Sequence, residues 1–316
     1  MFPRQLAQAF CMSLLIVLMC PAAGRAQAVK ATVHSNPLEP RTFREWSSDL
    51  RYDPADVDSL ALGATGCPLI RASVAGIDLS LLLDTGTARG FVVTDHAGAV
   101  PYHDLGREEE ANADGTHRGE SHRIRVDSLR VLGKVFGDAA GTLSDWRMFS
   151  SAPFDGTVGL DFFLDRRVTL DYRALRVAVS TAPMPEHLNP RRYVTLDLVD
   201  PPPAQGHALY VRAKVNGRDA LVYCDTGYNV SFIDSSFAAD LPRVERPGRF
   251  RYFRQQVPVE LASRTFVLDD LREDTIRRGD GFDLPVALIL GSDVLSHFTV
   301  TVDLRVRKLI LGAARQ

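Results

Sequence analysis

The sequence predicts an all-β fold made of two homologous lobes, and three observations carry that expectation. The chain repeats itself in two separate blocks, the repeated blocks alternate apolar and polar residues, and glycine-containing turns join the alternating runs. Composition agrees, since 316 residues at 45% hydrophobic and 24% charged describe an ordinary globular chain long enough for two units. A net charge of −2 leaves no cationic footprint for a nucleic-acid partner.

Taken in order, residues 1–28 read as a secretory signal peptide: Arg4, an apolar run from Phe10 to Cys20, then Ala26 and Ala28 in an Ala-x-Ala spacing. The run is too short for a normal membrane span, so a mature chain without a stable span is expected, periplasmic or secreted. Residues 29–62 match neither repeat and read as a leader or pro-segment. An N-terminal lobe over 63–182 follows, then a linker over 183–191 marked by Pro183, Pro185 and Pro190, then a C-terminal lobe over 192–316.

The duplication is explicit. At a shift of 141 residues, Arg71–Phe91 lies on Arg212–Phe232 without a gap, and nine of the 21 pairs are identical, among them Asp84/Asp225, Thr85/Thr226 and Gly86/Gly227. A second block repeats at a shift of 132, matching Gly159, Asp161, Val168, Thr169, Asp171 and Arg173 with Gly291, Asp293, Val300, Thr301, Asp303 and Arg305. The first copy therefore carries 141 − 132 = 9 extra residues between its blocks.

Each copy reads as strands. Val211–Val215 alternates, turns at Asn216-Gly217 and continues from Ala220 to Tyr223, and the first copy has Ala75-Gly76 at the same place. Asn-Gly favours a tight hairpin turn because both residues accept positive φ. Strands are also expected at 168–172, 176–179, 298–302 and 308–311, with one short helix per lobe at Leu160–Leu164 and Ser292–Ser296.

The repeated triplet is the chemical signal. Asp84-Thr85-Gly86 follows Leu81-Leu82-Leu83, and Asp225-Thr226-Gly227 follows Leu221-Val222-Tyr223-Cys224. One such triplet is an ordinary turn sequence. Two at equivalent positions, each ending an apolar strand in a carboxylate, have no packing reason.

With these residues in place, the chain resembles the aspartic proteases of retroviral and pepsin type. That family's pattern is an apolar strand, Asp-Thr-Gly, and later an apolar pair before a glycine, here Thr157-Val158-Gly159 and Ile289-Leu290-Gly291. The resemblance covers about residues 63–182 and 192–316, and is strongest to bacterial exported forms built from two retroviral-type units. It implies two retropepsin-like β-barrel lobes related by a pseudo-twofold axis, with Asp84 and Asp225 as catalytic pair. It also implies Thr85 and Thr226 bonding across the axis, and a hairpin closing over a peptide or protein substrate, at 112–125 or 247–256. The sequence departs from the pattern in three places. The Arg that often follows the distal glycine is replaced by Leu160 and Ser292, the small hydroxyl residue present as Thr87 becomes Tyr228 in the second copy, and polar Thr157 occupies an apolar position.

Two carboxyl groups brought face to face do not both ionise readily, so such a pair holds one proton. The ionised member is expected to activate a water and the protonated member to polarise the scissile carbonyl. Gly86 and Gly227 allow the backbone to come close, and Gly159 and Gly291 close the support beneath. Thr87 lies where its hydroxyl can donate to Asp84, which makes Asp84 the expected ionised base and Asp225 the protonated partner. No cofactor and no metal are required, and one chain supplies both acids, so a monomer is expected. Tyr228 and Thr157 keep open the alternative of a silent peptide-binding module. A glycosidase also uses paired carboxylates, but its acid and base need different surroundings rather than one repeated triplet. Cys67 and Cys224 are expected as two separate buried thiols, and His96, His103, His117 and His122 as surface residues. Asp161, Asp293, Asp171 and Asp303 are expected to cap and turn.

Overall fold

The computed structural model describes residues 30–87, 90–94, 100–111, 117–144, 154–202, 206–246, 252–276 and 281–315. The expected signal peptide at 1–28, and the hairpin segments 112–116 and 247–251, lie outside the described residues.

Strands make up 54% of the structure and helices 9%, so the all-β expectation holds. The first repeat forms a closed six-stranded barrel. Its strands, in pairing order, are Pro68–Val74, Ile77–Leu83, Gly156–Val158, Phe91–Thr94, Lys134–Ser144 and His117–Val131, the last pairing back onto the first. The second repeat takes the same path through Leu209–Val215, Arg218–Cys224, Val286–Leu290, Phe232–Asp234 and Leu271–Asp274. Arg264–Asp269 and Val257–Leu261 then lead back to Leu209–Val215. Asp138 and its counterpart Asp270 both take positive φ, 50° and 59°; the strand is continuous as Lys134–Ser144 in the first repeat and divided into Arg264–Asp269 and Leu271–Asp274 in the second.

Both hairpin turns have the expected backbone. Asn216 and Gly217 sit at φ 50° and 75°, and Ala75 and Gly76 at 49° and 86°. Positive φ at both central residues matches the right-handed twist of the paired strands.

The two repeats meet in an antiparallel sheet ordered Tyr193–Val199, Lys308–Ala313, Phe298–Asp303, Arg167–Asp171, Arg176–Ser180 and Val57–Ser59. Its middle pair comes from equivalent positions of the two copies, with Thr169 opposite Thr301. Both faces of the middle pair are buried, with Val168, Leu170, Val300 and Val302 on one and Thr169, Asp171, Thr301 and Asp303 on the other, so the sheet is the shared core.

One expectation needs correction. Besides the turn of 3-10 helix at Leu160–Phe163 and the helix at Ser292–Leu295, the second repeat has a helix at Ser235–Ala238, so one helix per lobe is too few. Asp234 starts it by accepting from the Ser236 amide at 2.9 Å, a local N-cap. A further helix, Phe43–Asp49, lies in the leader, where Thr42 and Glu45 form a reciprocal capping box.

The leader is stitched to the body. Strand Thr32–Ser35 pairs with Arg264–Asp269, and Arg41 bridges to Ala314. Trp46 is fully buried and its indole N–H donates to Asp171 Oδ2 at 2.5 Å. Arg167, also fully buried, donates to Tyr52 Oη at 3.1 Å, to the Pro183 carbonyl at 3.0 Å and to the Leu50 carbonyl. Its guanidinium also lies over the Tyr52 ring, 4.5 Å from the centroid.

Candidate active site

Asp84 and Asp225 leave the C-terminal ends of two equivalent strands, Ile77–Leu83 and Arg218–Cys224. Those strands are apolar at their ends because both faces are covered, which carries each following carboxyl into the interior. Asp84 is 0% exposed and Asp225 1%. Matching backbone bonds set each loop: the Asp84 amide donates to the Val158 carbonyl at 3.0 Å, and the Asp225 amide to the Leu290 carbonyl at 2.9 Å. Gly86 N–H donates to Asp84 Oδ1 at 2.7 Å, and Gly227 N–H to Asp225 Oδ1 at 2.8 Å.

The glycines also report how near the two loops come. A Cβ placed on Gly86 would stand 2.2 Å from Asp225 Oδ2, and one on Gly227 would stand 2.5 Å from Asp84 Oδ1. No side chain fits there. Each triplet glycine therefore lies against the opposite carboxyl. Beneath, Gly159 and Gly291 are equally confined, since an added Cβ would meet the Thr87 carbonyl at 2.7 Å and the Val230 carbonyl at 2.5 Å.

Thr85 and Thr226 cross between the loops. Thr85 N–H donates to Thr226 Oγ1 and Thr226 N–H to Thr85 Oγ1, both at 3.0 Å. Each hydroxyl then donates to a carbonyl of the other copy, Thr85 to Cys224 at 2.9 Å and Thr226 to Leu83 at 2.6 Å. Four buried backbone groups are satisfied by two side chains, and the reciprocity fixes the loops against each other.

Burial, with Asp225 acting both as a like charge and as a hydrogen-bond partner, holds the Asp84 carboxyl well above the usual carboxylate range. Thr87 does donate to Asp84 Oδ2, at 2.8 Å, and pulls the other way, but burial is the larger effect. The donation expected from Thr87 is present and opposes the upward push on Asp84.

Thr157 is 1% exposed and its hydroxyl lies 2.8 Å from that of Thr87. The polar residue at an apolar position and the hydroxyl after the first triplet are therefore one feature. In the second copy the equivalent residues, Tyr228 and Ile289, share an apolar cluster, with the Tyr228 ring edge-on to Phe232 at 6.0 Å. Hydroxyl pair on one side, apolar pair on the other: the two departures compensate each other.

Sequence reasoning missed two supports. Asp161 and Asp293 do more than cap, because they accept from the Gly90 and Ser231 amides, equivalent positions on the loops returning from the triplets. Their repetition in both copies was the available signal. Burial raises the Asp293 carboxyl, which also accepts from the Ala31 amide of the leader at 2.9 Å. Below the second triplet, Ser292 donates to the Thr226 carbonyl at 2.8 Å and meets the Tyr172 hydroxyl at 3.1 Å. Cys67 reaches the Gly227 carbonyl at 3.7 Å. Both thiols are buried and unpaired with each other, as expected, and burial pushes each up to about 12. His103 and His122 lie at the surface beside Asp127 and Asp104. The backbone of His96, and the side chain of His117, lie outside the described residues. Among the described residues, no group of three His, Cys, Asp or Glu stands where it could hold a metal ion.

No protein-family model matches the chain, and no curated protein matches it. The geometry of the site carries the functional argument.

Proposed function

We propose that the chain is an aspartic endopeptidase of the retroviral and pepsin type, with two barrel lobes supplied by one polypeptide and Asp84 and Asp225 as its catalytic pair. The observation that carries this reading is the mutual approach of two buried, equivalent carboxyls, each backed by the other loop's glycine and locked by the Thr85–Thr226 crossing. Two acids so placed share a proton. The ionised one takes a proton from a water held between them, and the protonated one donates to the peptide carbonyl as the water attacks, leaving a neutral tetrahedral diol. Collapse with proton transfer to the leaving nitrogen cuts the bond and restores the shared proton. The crossed threonines keep the carboxyls in register through these transfers.

The His103–Ala111 and His117–Val131 strands form an antiparallel hairpin in the first repeat, and this hairpin is the candidate cover for bound peptide. Residues 1–28 fit an export signal, so the substrate class is peptide or protein outside the cytoplasm, met in the periplasm or the medium.

A second reading, a peptide-binding module that does not cut, is favoured by one observation: after the second triplet, Tyr228 in its apolar cluster stands where the first copy has Thr87, the hydroxyl residue that serves Asp84. Incubating the full chain with a mixed peptide library from acidic to neutral pH, with mass-spectrometric detection, separates the two. Cleavage lost in both Asp84→Asn and Asp225→Asn supports the enzyme; binding without cleavage selects the module.

A further inference from the structure

The hydroxyl of Thr87 has one proton, and Asp84 Oδ2 at 2.8 Å receives it when that carboxyl is charged. Thr87 Oγ1 is then an acceptor toward Thr157 Oγ1, 2.8 Å away, so the Thr157 proton points at Thr87. The direction of the chain Thr157 to Thr87 to Asp84 is fixed by counting protons. Thr157 sits on the Gly156–Val158 strand, paired between Phe91–Thr94 and Ile77–Leu83, so the relay begins on a rigid element rather than a loop. At the matching places on the Asp225 side stand Tyr228 and Ile289, which share an apolar cluster.

We propose that Thr157 is a positioning residue whose hydroxyl aims Thr87 at Asp84. The inference rests on the endopeptidase reading for its consequence in catalysis, though the relay itself is a property of the fold. A chain of hydrogen bonds ending on a charge strengthens along its length, so losing its far end weakens the near one. When Asp84 is protonated on Oδ2 the chain can reverse, which leaves the neutral form much less dependent on Thr157. The relay thus favours the charged form of Asp84 and opposes the upward push of burial. Other titratable groups facing Asp84 are Asp225, Cys67 and Tyr172; burial keeps the Cys67 thiol and the Tyr172 phenol protonated through the acidic range, which leaves Asp225 as the facing charge.

The test uses Thr157→Val, which keeps shape and removes the hydroxyl, and Thr157→Ser, which keeps the hydroxyl. In the full chain, Thr157→Val is expected to lower kcat about three- to tenfold with KM unchanged, the weight of one lost hydrogen bond. It should also raise the acidic limb of the kcat profile by about half a unit. Thr157→Ser restores both. On a Thr87→Val background, Thr157→Val has no further effect, because the relay is already cut. A folded Thr157→Val chain with the wild-type profile overturns the proposal, as does a Thr157→Ser chain as impaired as the Val variant. If the wild-type chain cuts no peptide, the endopeptidase reading fails separately. The relay is then read from the Asp84 carboxyl by carbon-13 NMR titration: the same upward shift in Thr157→Val supports it, and an unmoved titration overturns it.

Discussion

Thr169 and Thr301 stand opposite each other in the middle of the shared sheet, with their hydroxyl oxygens 2.6 Å apart. They are equivalent residues of the two sequence repeats, 132 positions apart, so this contact joins the copies at the place where each is its own mirror. Tyr52 of the leader extends the chain with its hydroxyl 2.7 Å from that of Thr169. Two repeats joined in one sheet by one covalent chain have no need of a second chain. Specific activity is therefore expected to be independent of dilution, and sedimentation should give a monomer wherever activity persists. Activity falling in step with loss of a dimer would contradict this.

Replacing either acid is expected to cost hydrolysis about a thousandfold or more, since one carboxyl cannot serve as base and acid together. Asp84→Asn also has a signature in stability. The ordinary aspartate value is 3.8, and the folded value of Asp84 lies well above it, so between the two the folded chain holds a proton that the unfolded chain releases. That contribution is full below the ordinary value and is lost as pH rises through the folded one. Asp84→Asn removes the loss, so its thermal midpoint should gain on wild type as pH is raised. Scanning calorimetry at a series of pH values checks it; a constant difference would show that Asp84 titrates normally in the fold.

Gly86→Ala and Gly227→Ala each push a methyl into the opposite carboxyl. Overpacking of this kind costs about 1–3 kcal/mol, and separation of the acids should remove activity as well. Gly137→Ala is the control, because an added Cβ there meets nothing within 4 Å and its φ is ordinary. Denaturant midpoints and peptide turnover of the three variants give the comparison. Equal tolerance at all three positions would mean that the triplet loops are farther apart than described.

Thr85→Val leaves the Thr226 amide and the Cys224 carbonyl without partners, and Thr226→Val does the same to the Thr85 amide and the Leu83 carbonyl. Each loss is expected to cost about 1–3 kcal/mol per stranded buried group. The two variants strand different groups, so a double variant that departs from the sum of the singles reports the locking of one loop against the other. Strict additivity in a double-mutant cycle would deny the coupling.

The leader gives a prediction about processing. Ala31 donates its amide to buried Asp293, and Trp46 is enclosed against the sheet, so an export cleavage is expected to fall before Ala31 and residues 31–62 to stay attached. N-terminal sequencing of the exported chain reads this directly. Trp46→Ala should cost about 3–5 kcal/mol, as for other buried aromatics. An active chain beginning near residue 63 would restore the pro-segment reading.

Much of this was legible in the sequence because the duplication compares each position with a copy of itself. The strands around Asn216-Gly217 and Ala75-Gly76, and the meeting of Asp84 with Asp225, follow from local pattern plus the repeat. Apart from the paired supports Asp161 and Asp293, what escaped was what has no copy. The leader helix carries a Thr42-to-Glu45 capping box, a readable signal, but its burial depends on Arg167 and Asp171 far away in sequence. Thr157 reads as a flaw in an apolar strand until Thr87 is seen beside it. Tertiary partners, not propensities, give those residues their meaning.

The strand order of the shared sheet has a consequence for synthesis. Phe298–Asp303 lies between Lys308–Ala313 and Arg167–Asp171, so the middle of the sheet is completed only after the second repeat has been made. Until then Arg167–Asp171 lacks its neighbour, and Thr32–Ser35 still waits for Arg264–Asp269. Pairings this distant along the chain form slowly and late. The first barrel, whose six strands all lie between Pro68 and Val158, has every partner long before that, so the seam between the repeats, and not the barrel, is what waits for the second repeat.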